Sequence, residues 1–287
     1  MATYQIITDS ACDLTAELIE KLNISVVPLN MLLKGELRQD SVGDGIKEVY
    51  EALRQGEVAT TSAANPEHWT NVIEPILKEG KDVLVLAFSS GLSTTYQSAV
   101  IAASDLAETY PQRTVKVVDT RCASLGQGLL VHHTCAKRDE GLSLEELTDW
   151  VEEHKLNLCH WFTVDDLMYL KRGGRVSAAS ALVGTMLKIK PVLHVDDEGH
   201  LINVAKVRGR KASIEMMAEK MVETALPGLN DYIMICHGDC REDAEYLADI
   251  LKEKMGVKEV FIGYTGAVIG SHSGPGTLAL FFMGSKR

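Results

Sequence analysis

The stretch that follows residues 83–88 has the composition of an anion-binding site. An apolar segment runs there into Ser89-Ser-Gly-Leu-Ser93, and a helical pattern follows. In a doubly wound sheet, strand ends and helix N-termini leave backbone N–H groups directed into a crevice. Hydroxyl groups without a lysine or arginine suit an anion that neutral donors hold. Nucleotide phosphates usually recruit a cation or a metal as well, so the pattern favours a different anion.

Two distant segments have the same composition. Thr60-Thr-Ser62 precedes a helix that Pro66 opens, and residues 270–277 combine glycines and hydroxyls with His272. If the fold brings the three segments together, they would form one polar side of a pocket. Each segment alone is equally consistent with an ordinary turn, because Ser, Thr and Gly are the usual turn residues.

The first half of the chain must position two of these segments. Strand patterns at residues 4–7, 24–33, 83–88 and 115–118 alternate with helical patterns, among them residues 66–78, 94–110 and 122–137. This alternation predicts an α/β fold with a mainly parallel sheet covered by helices on both faces. Ser143 and Glu146 form a capping box that opens one more helix.

The strand and helix patterns in the second half of the chain predict another α/β domain, with a mixed sheet. Residues 191–195 and 201–207 are expected to pair as a hairpin, and two helix–strand units follow. Residues 177–187 have the pattern of a helix rich in small residues. We expect two closely packed domains, residues 1–157 and 158–287, with the ligand site between them.

Bulk composition narrows the class of protein. The net charge of −11 over 287 residues disfavours nucleic acid as a partner. The N-terminus has no secretory pattern, and the apolar runs are far shorter than the roughly 20 residues of a membrane span. We therefore expect a cytoplasmic protein, and its six cysteines are expected to be reduced thiols.

Metal and nucleotide chemistry are not indicated. Cys236 and Cys240 lack a second pair at zinc-ligand spacing, and a strand end plus a helix cap explains them. Asp9, Asp119 and the Asp165-Asp166 pair fit helix caps and loop anchors better than acid–base catalysis. Neither common glycine-rich phosphate loop is present. No metal and no cofactor are expected.

A basic segment stands out from the acidic background. Residues 171–211 contain nine basic and three acidic residues, a local balance of +6. A solvated face is one interpretation. The other is a docking surface for an acidic or phosphate-bearing partner, which would include Arg172, Arg175, Arg208 and Arg210.

Ordered motifs along nearly the whole chain resemble one family. They are Ile7-Thr-Asp-Ser-Ala-Cys-Asp-Leu14, Thr61-Ser62, Ser89-Ser-Gly-Leu-Ser93, Phe162-Thr-Val-Asp-Asp-Leu167, Leu170-Lys-Arg-Gly-Gly-Arg175 and His272-Ser-Gly-Pro-Gly276. The chain resembles the DegV family of bacterial fatty-acid-binding proteins. The resemblance implies a non-enzymatic lipid-binding subunit that encloses a long-chain fatty acid and holds its carboxylate with Thr61, Ser62, Ser93 and His272.

The resemblance also implies a partner. The ATP-dependent catalytic subunit of a bacterial fatty acid kinase would phosphorylate the bound acid to acyl phosphate for phospholipid synthesis. The family places Arg175 on the ligand-portal side, where a kinase must reach the carboxylate. No transmembrane segment is expected, and transient contact with a membrane surface stays open.

A serine-type lipid hydrolase is the alternative hypothesis. Ser93 or Ser90 would be its nucleophile and His272 its base, with an aspartate to orient the histidine. The strand-to-helix turn, however, is Ser-Ser-Gly-Leu-Ser and lacks the G-x-S-x-G elbow of α/β-hydrolases.

Overall fold

The first sheet is fully parallel and lies in the N-terminal half. The computed structural model describes residues 4–40, 42–43, 45–176 and 189–287. The strands are β1 (Tyr4–Asp9), β2 (Ser25–Val27), β6 (Asp82–Ala87) and β7 (Val115–Asp119), in the order β2-β1-β6-β7. The central strands are almost continuously apolar because both faces are covered.

Helices cover both faces of this sheet, as predicted. The helices of the N-terminal half that pack on it are α1 (Ala16–Lys21), α3 (Pro66–Lys78), α4 (Thr95–Thr109), α5 (Leu125–Asp139) and α6 (Leu144–His154). Trp69 and Ile73 of α3 pack with Val85 on one face, whereas Leu129 of α5 packs with Leu84 on the other. The capping box of Ser143 and Glu146 is confirmed at the start of α6.

The second sheet is mixed and six-stranded. Its strands are β8 (Leu158–Thr163), β9 (Ile189–Val195), β10 (Leu201–Arg208), β11 (Tyr232–His237), β12 (Glu259–Tyr264) and β13 (Leu278–Met283), in the order β10-β9-β8-β13-β11-β12. The predicted hairpin of β9 and β10 is confirmed, and β11 and β12 are the parallel pair. Helices α8 (Arg210–Thr224) and α9 (Arg241–Met255) cover one face, and α5 lies against the other.

A small antiparallel sheet, which the sequence did not predict, completes the fold. It consists of β3 (Asn30–Leu33), β4 (Glu36–Gln39) and β5 (Thr60–Ser62), in the order β4-β3-β5. Helices α2 (Ile46–Arg54), α7 (Met168–Arg172) and α10 (Ala267–Ser273) pack around its inner side. This sheet places Thr61 and Ser62 beside α10.

Two predicted elements differ from the structure. Residues 24–33, predicted as one strand, form β2 and β3 in separate sheets, because Pro28 lies between them and cannot donate to a ladder. Helix α5 begins at Leu125 rather than at residue 122, because Ser124 has φ +55°, a left-handed backbone conformation that interrupts a right-handed helix. The helix predicted over residues 177–187 lies outside the described residues.

One apolar cluster joins the two halves of the chain. It combines Leu84 of the parallel sheet, Leu129 of α5 and Phe281 of the mixed sheet. The strands of the parallel sheet end at Asp119, and the mixed sheet begins at Leu158. The division into separate domains at residues 157 and 158 therefore stays a prediction.

Tyr50 of α2 is buried where the small sheet meets the C-terminal half. Its hydroxyl donates to the carbonyl of Thr265 at 2.8 Å, and Gly270 leaves room for the hydroxyl, because a Cβ at this position would overlap it. The contact fixes α2 against α10, which carries His272.

We expect Tyr50→Phe to lower the free energy of unfolding by about 1–3 kcal/mol, because it leaves a buried carbonyl without its donor. Denaturant unfolding followed by circular dichroism measures the change. Tyr110→Phe is the control, since the hydroxyl of Tyr110 bonds to Glu74 near the surface and its loss should matter less. Equal stabilities for the parent and Tyr50→Phe would contradict the proposed role of this bond.

Candidate functional site

A cavity of about 450 Å³ lies among the three sheets. This volume is within the range of roughly 300–1,000 Å³ that is typical of small-molecule sites. The lining residues include Thr61, Ser62, Ser90, Ser93, Arg175 and His272 on the polar side, and Phe88, Phe162, Leu170, Val195, Leu201 and Phe281 on the apolar side. The structure thus brings together the three hydroxyl-rich segments that the sequence singles out.

Thr61 and His272 are in direct contact, although 211 residues separate them. The Oγ1 atom of Thr61 lies 2.7 Å from Nε2 of His272. Gly173 lies against the other side of the imidazole, where a Cβ would overlap Nδ1. The Lys-Arg-Gly-Gly-Arg motif therefore needs glycine at position 173 so that the histidine can occupy this place.

His272 is neutral near pH 7. Burial lowers the pKa of His272 to about 4, and the nearby positive charge of Arg175 contributes to the shift. A neutral imidazole has one N–H donor and one acceptor nitrogen. His272 can therefore exchange a hydrogen bond with Thr61 without adding a formal charge to the cavity.

Ser93 lies two residues before the start of α4. Its Oγ atom accepts the backbone N–H of Thr95 at 3.2 Å and lies 2.8 Å from the hydroxyl of Thr95. Thr95 is fully buried, so it fixes the orientation of the Ser93 side chain. The first turn of α4 also contributes partial positive charge near this hydroxyl.

Ser62 and Ser90 complete the polar side. Ser62 is exposed at the end of β5 and still lines the cavity. The backbone N–H of Ser90 donates to a carboxylate oxygen of Asp119 at 3.1 Å. Asp119 therefore anchors the loop, as expected, and Ser62 marks a side of the cavity that reaches the surface.

The four arginines predicted to dock a partner have different surroundings. Arg175 lines the cavity, and its Nε donates to the carbonyl of Leu92 at 3.2 Å. Arg172 and Arg208 are exposed. Arg210 forms an ion pair with Asp243 at 2.8 Å. The geometry therefore adds Arg175 to the polar side of the cavity, which the sequence pattern alone did not indicate.

Elsewhere in the cavity, the polar residues His160 and Ser124 have hydrogen-bond partners within the protein. His160 accepts the N–H of Ala123 at Nε2, 3.2 Å away, and its Nδ1 lies 3.1 Å from the carbonyl of Leu158. The hydroxyl of Ser124 donates to the carboxylate of Asp13. These groups are already hydrogen-bonded within the protein. The cavity therefore has an apolar body and one polar end, which is the side lined by Thr61, Ser62, Ser90, Ser93, Arg175 and His272.

The contacts do not assemble a serine hydrolase. The imidazole of His272 is bonded to Thr61, and the hydroxyl of Ser93 is bonded to Thr95. Asp9 accepts the N–H groups of Ala11 at 3.1 Å and Phe88 at 2.7 Å. This pattern is typical of a buried structural carboxylate rather than of a group that orients a catalytic histidine.

Two features are absent from the part of the chain that the structure describes. Within it, no group of three or more His, Cys, Asp or Glu side chains is placed to hold a metal ion. Among the helices described, none is long and apolar enough to cross a membrane.

Comparisons with known proteins agree on one family. The family model described as "Uncharacterised protein, DegV family" matches residues 3–285. A DegV domain-containing protein of Clostridium perfringens is 44% identical over 289 residues, which cover 100% of this chain and 99% of that protein.

Solved structures from the same family have a similar fold. One is a DegV family protein from Thermus thermophilus that is described as binding fatty acid. It is 34% identical with a TM-score of 0.85, and the match covers 97% of this chain and 98% of that one. DegV from Bacillus subtilis, described as a fatty acid binding protein, is 31% identical with a TM-score of 0.85, and the match covers 98% and 99% of the two chains.

We expect Arg175→Gln to raise the pKa of His272 above about 4, because the change removes a positive charge that disfavours the imidazolium. An NMR titration of the imidazole measures the pKa, and His272→Gln identifies the signal. Arg113→Gln, in the loop before β7, should leave the pKa unchanged. A titration in Arg175→Gln that matches the parent would contradict this account.

The lowered pKa of His272 also makes the stability of the fold depend on pH. The unfolded chain binds a proton at His272 near its ordinary pKa of 6.5, whereas the folded state binds it only near pH 4. The contribution of His272 therefore destabilises the fold as the pH falls through this window.

Proposed function

This chain belongs to the DegV family, and we propose that it binds a long-chain fatty acid with the carboxylate at the polar end of the cavity. The observation that carries the proposal is the single polar end, with Thr61, Ser93 and His272, beside an apolar body. The fatty acid binding described for the relatives from Thermus thermophilus and Bacillus subtilis supports it.

Affinity would come mainly from the acyl chain. Burial is worth about 0.8 kcal/mol per CH₂, so a 16-carbon chain would gain roughly 12 kcal/mol before the costs of ordering and immobilisation. A carboxylate is tolerated in such a site only when its oxygens are hydrogen-bonded. The polar end would therefore set the orientation of the ligand, and the apolar body would supply most of the binding energy.

The donors at the polar end suit a carboxylate. If neutral His272 donates its Nε2–H to Thr61, the hydroxyl proton of Thr61 is free for the ligand. If the hydroxyl of Thr95 donates to Ser93, the proton of Ser93 is free as well. Ser62 and the positive charge of Arg175 lie at the same end. Together these groups would stabilise one negative charge.

We further propose that the protein is a cytoplasmic carrier for a fatty acid kinase. Its partner would be the ATP-dependent catalytic subunit, which forms acyl phosphate for phospholipid synthesis. Ser62 is exposed beside the polar end, so a partner could approach the carboxylate there. The sequence lacks the common phosphate loops, which supports the placement of ATP chemistry on a second protein.

We expect protein purified from a bacterial host to carry about one fatty acid per chain. Thr61→Ala and Ser93→Ala should each weaken binding about 10- to 100-fold, because a hydrogen bond to a charged group is worth about 1.5–3 kcal/mol. His272→Ala should weaken binding as well, because it removes the group that orients the hydroxyl of Thr61. Mass spectrometry of an organic extract measures occupancy, and titration of the delipidated protein with palmitate or oleate measures affinity.

Thr109→Ala, on an exposed turn of α4, is the matched control for these variants. Extracts without fatty acid, together with no uptake of added acid, would overturn the proposed ligand. Normal binding by both the Ser93 and His272 variants would place the carboxylate elsewhere. Turnover of acyl esters, with labelling of Ser93 by a serine-directed phosphonate, would instead support the hydrolase.

For the docking surface, we expect Arg172→Glu and Arg208→Glu to reduce acyl-phosphate formation with the kinase subunit while fatty acid binding persists. Both side chains are exposed, and rim charges act mainly on the association rate, so the parent's activity should also fall as salt rises. Lys258→Glu is the control, because it precedes β12 on the opposite edge of the mixed sheet.

Arg210 and Arg175 make other contacts that a glutamate would change, so their variants need further measurements. Arg210→Glu breaks the ion pair with Asp243 and should also lower the melting temperature. Arg175→Glu places a negative charge at the polar end and should weaken fatty acid binding itself. Unchanged phosphorylation in all four glutamate variants would rule out the docking surface.

A further inference from the structure

The tip of the β9–β10 hairpin touches the loop that carries Ser93. The tip comprises residues 196–200, and the loop comprises residues 89–93. The hydroxyl of Ser89 donates to the carbonyl of Gly199 at 2.9 Å, and both residues are buried. Nη1 of Arg121 donates to the carbonyl of Glu198 at 2.6 Å. Two strands of the mixed sheet are thus joined to the end of the parallel sheet.

Close approach of two glycines makes this contact possible. A Cβ at Gly91 would lie 2.8 Å from the carbonyl oxygen of Gly199 and 2.9 Å from that of Glu198. These are backbone atoms, so they cannot move aside as a flexible side chain would. Gly199 has φ +81°, and a Cβ there would overlap the hydroxyl of Ser89. Any side chain at Gly91 must therefore separate the tip from the loop.

The loop transmits this contact to the ligand site. The hydroxyl of Ser89 also accepts the N–H of Gly91 at 3.2 Å, and the carbonyl of Ser89 accepts the N–H of Ser93 at 3.1 Å. Ser89 therefore binds the hairpin tip and fixes the backbone at Ser93. This arrangement makes Ser89 a positioning residue for the hydroxyl of Ser93.

The hairpin also forms part of the cavity wall. Val195 is the last residue of β9 and Leu201 the first of β10, and both line the cavity. Nη1 of Arg287 donates to the carbonyl of Asp196 at 2.9 Å. The base of the tip is thus held within the C-terminal half, while its apex is held by Ser89 and Arg121.

We propose that the contact of residues 196–200 with Ser89, Gly91 and Arg121, which we call the hairpin latch, positions Ser93 and limits the rate at which a bound fatty acid leaves the cavity. The inference rests on the proposed function. Opening the latch would release the wall at Val195 and Leu201 and the anchor of Ser93 together. Such a change should act on dissociation much more than on association.

Gly91→Ala tests the latch by steric means. Arg121→Ala tests it by removing the hydrogen bond to the carbonyl of Glu198, and it also removes the ion pair of Arg121 with Asp119 at 2.9 Å. Their controls are Gly43→Ala, where a Cβ meets nothing within 4 Å, and Arg113→Ala. Arg113 donates to the carbonyl of Gly80 and lies 3.7 Å from Asp82, so it resembles Arg121 but lies at the opposite end of β7. The measurement is the transfer of bound oleate from each protein to acceptor vesicles of phosphatidylcholine.

We expect the release rate to rise at least tenfold in Gly91→Ala and severalfold in Arg121→Ala, with both controls at the parent rate. Amide hydrogen exchange in the lipid-free proteins should accelerate at Gly199 and Ser93 in the two latch variants. Should Gly91→Ala fail to fold, Arg121→Ala carries the test alone.

Parent-like release in folded latch variants would overturn the latch and leave the proposed function intact. Faster exchange at Gly199 with parent-like release would also overturn it. A parent protein that takes up no oleate would overturn the proposed function, and the latch with it.

Discussion

The hydrogen bond between Thr61 and His272 is the contact on which the arrangement of the site depends. It joins an edge strand of the small sheet to α10, at a distance of 2.7 Å. Burial makes the charged form of His272 costly, so the contact is one between neutral groups. Tyr50, between α2 and α10, and Gly173, against the imidazole, hold the histidine in place. The polar end of the cavity is therefore a product of tertiary packing and not of any single motif.

Glycines in the motifs serve this packing more than they serve turns. Gly173 admits the ring of His272, and Gly91 admits two carbonyl oxygens of the hairpin tip. In both places the missing Cβ brings a second chain segment close enough to fix a polar group. From the sequence alone, the segment with Gly91 is equally consistent with an ordinary turn. The structure shows close contacts at both glycines, where a larger residue would displace the imidazole of His272 or the hairpin tip.

The sequence was a good guide wherever structure is set locally. Hydrophobic periodicity and capping residues predicted α3 with its bounds, the start of α6 and the β9–β10 hairpin. The sequence did not predict the elements whose structure depends on tertiary contacts. The strands β4 and β5 are four and three residues long and carry little periodic signal. The seven residues of α10 include one glycine and two serines. For the site, Thr61, Ser62, Ser93 and His272 line one cavity, and their role as carboxylate ligands stays a prediction. The place of Arg175 depends on a fold that no local pattern shows.

Arg175 illustrates how the site can hold an anion without a buried ion pair. Its guanidinium donates to the carbonyls of Leu92 and Gly173, so part of its hydrogen-bonding capacity is used within the protein. A positive charge fixed in this way favours a nearby carboxylate through its field, while hydroxyls make the direct contacts. A desolvated ion pair would lose much of its Coulomb gain to desolvation. Neutral donors supported by a fixed charge would bind the proposed carboxylate firmly enough to orient it, and would leave its oxygens available to a partner.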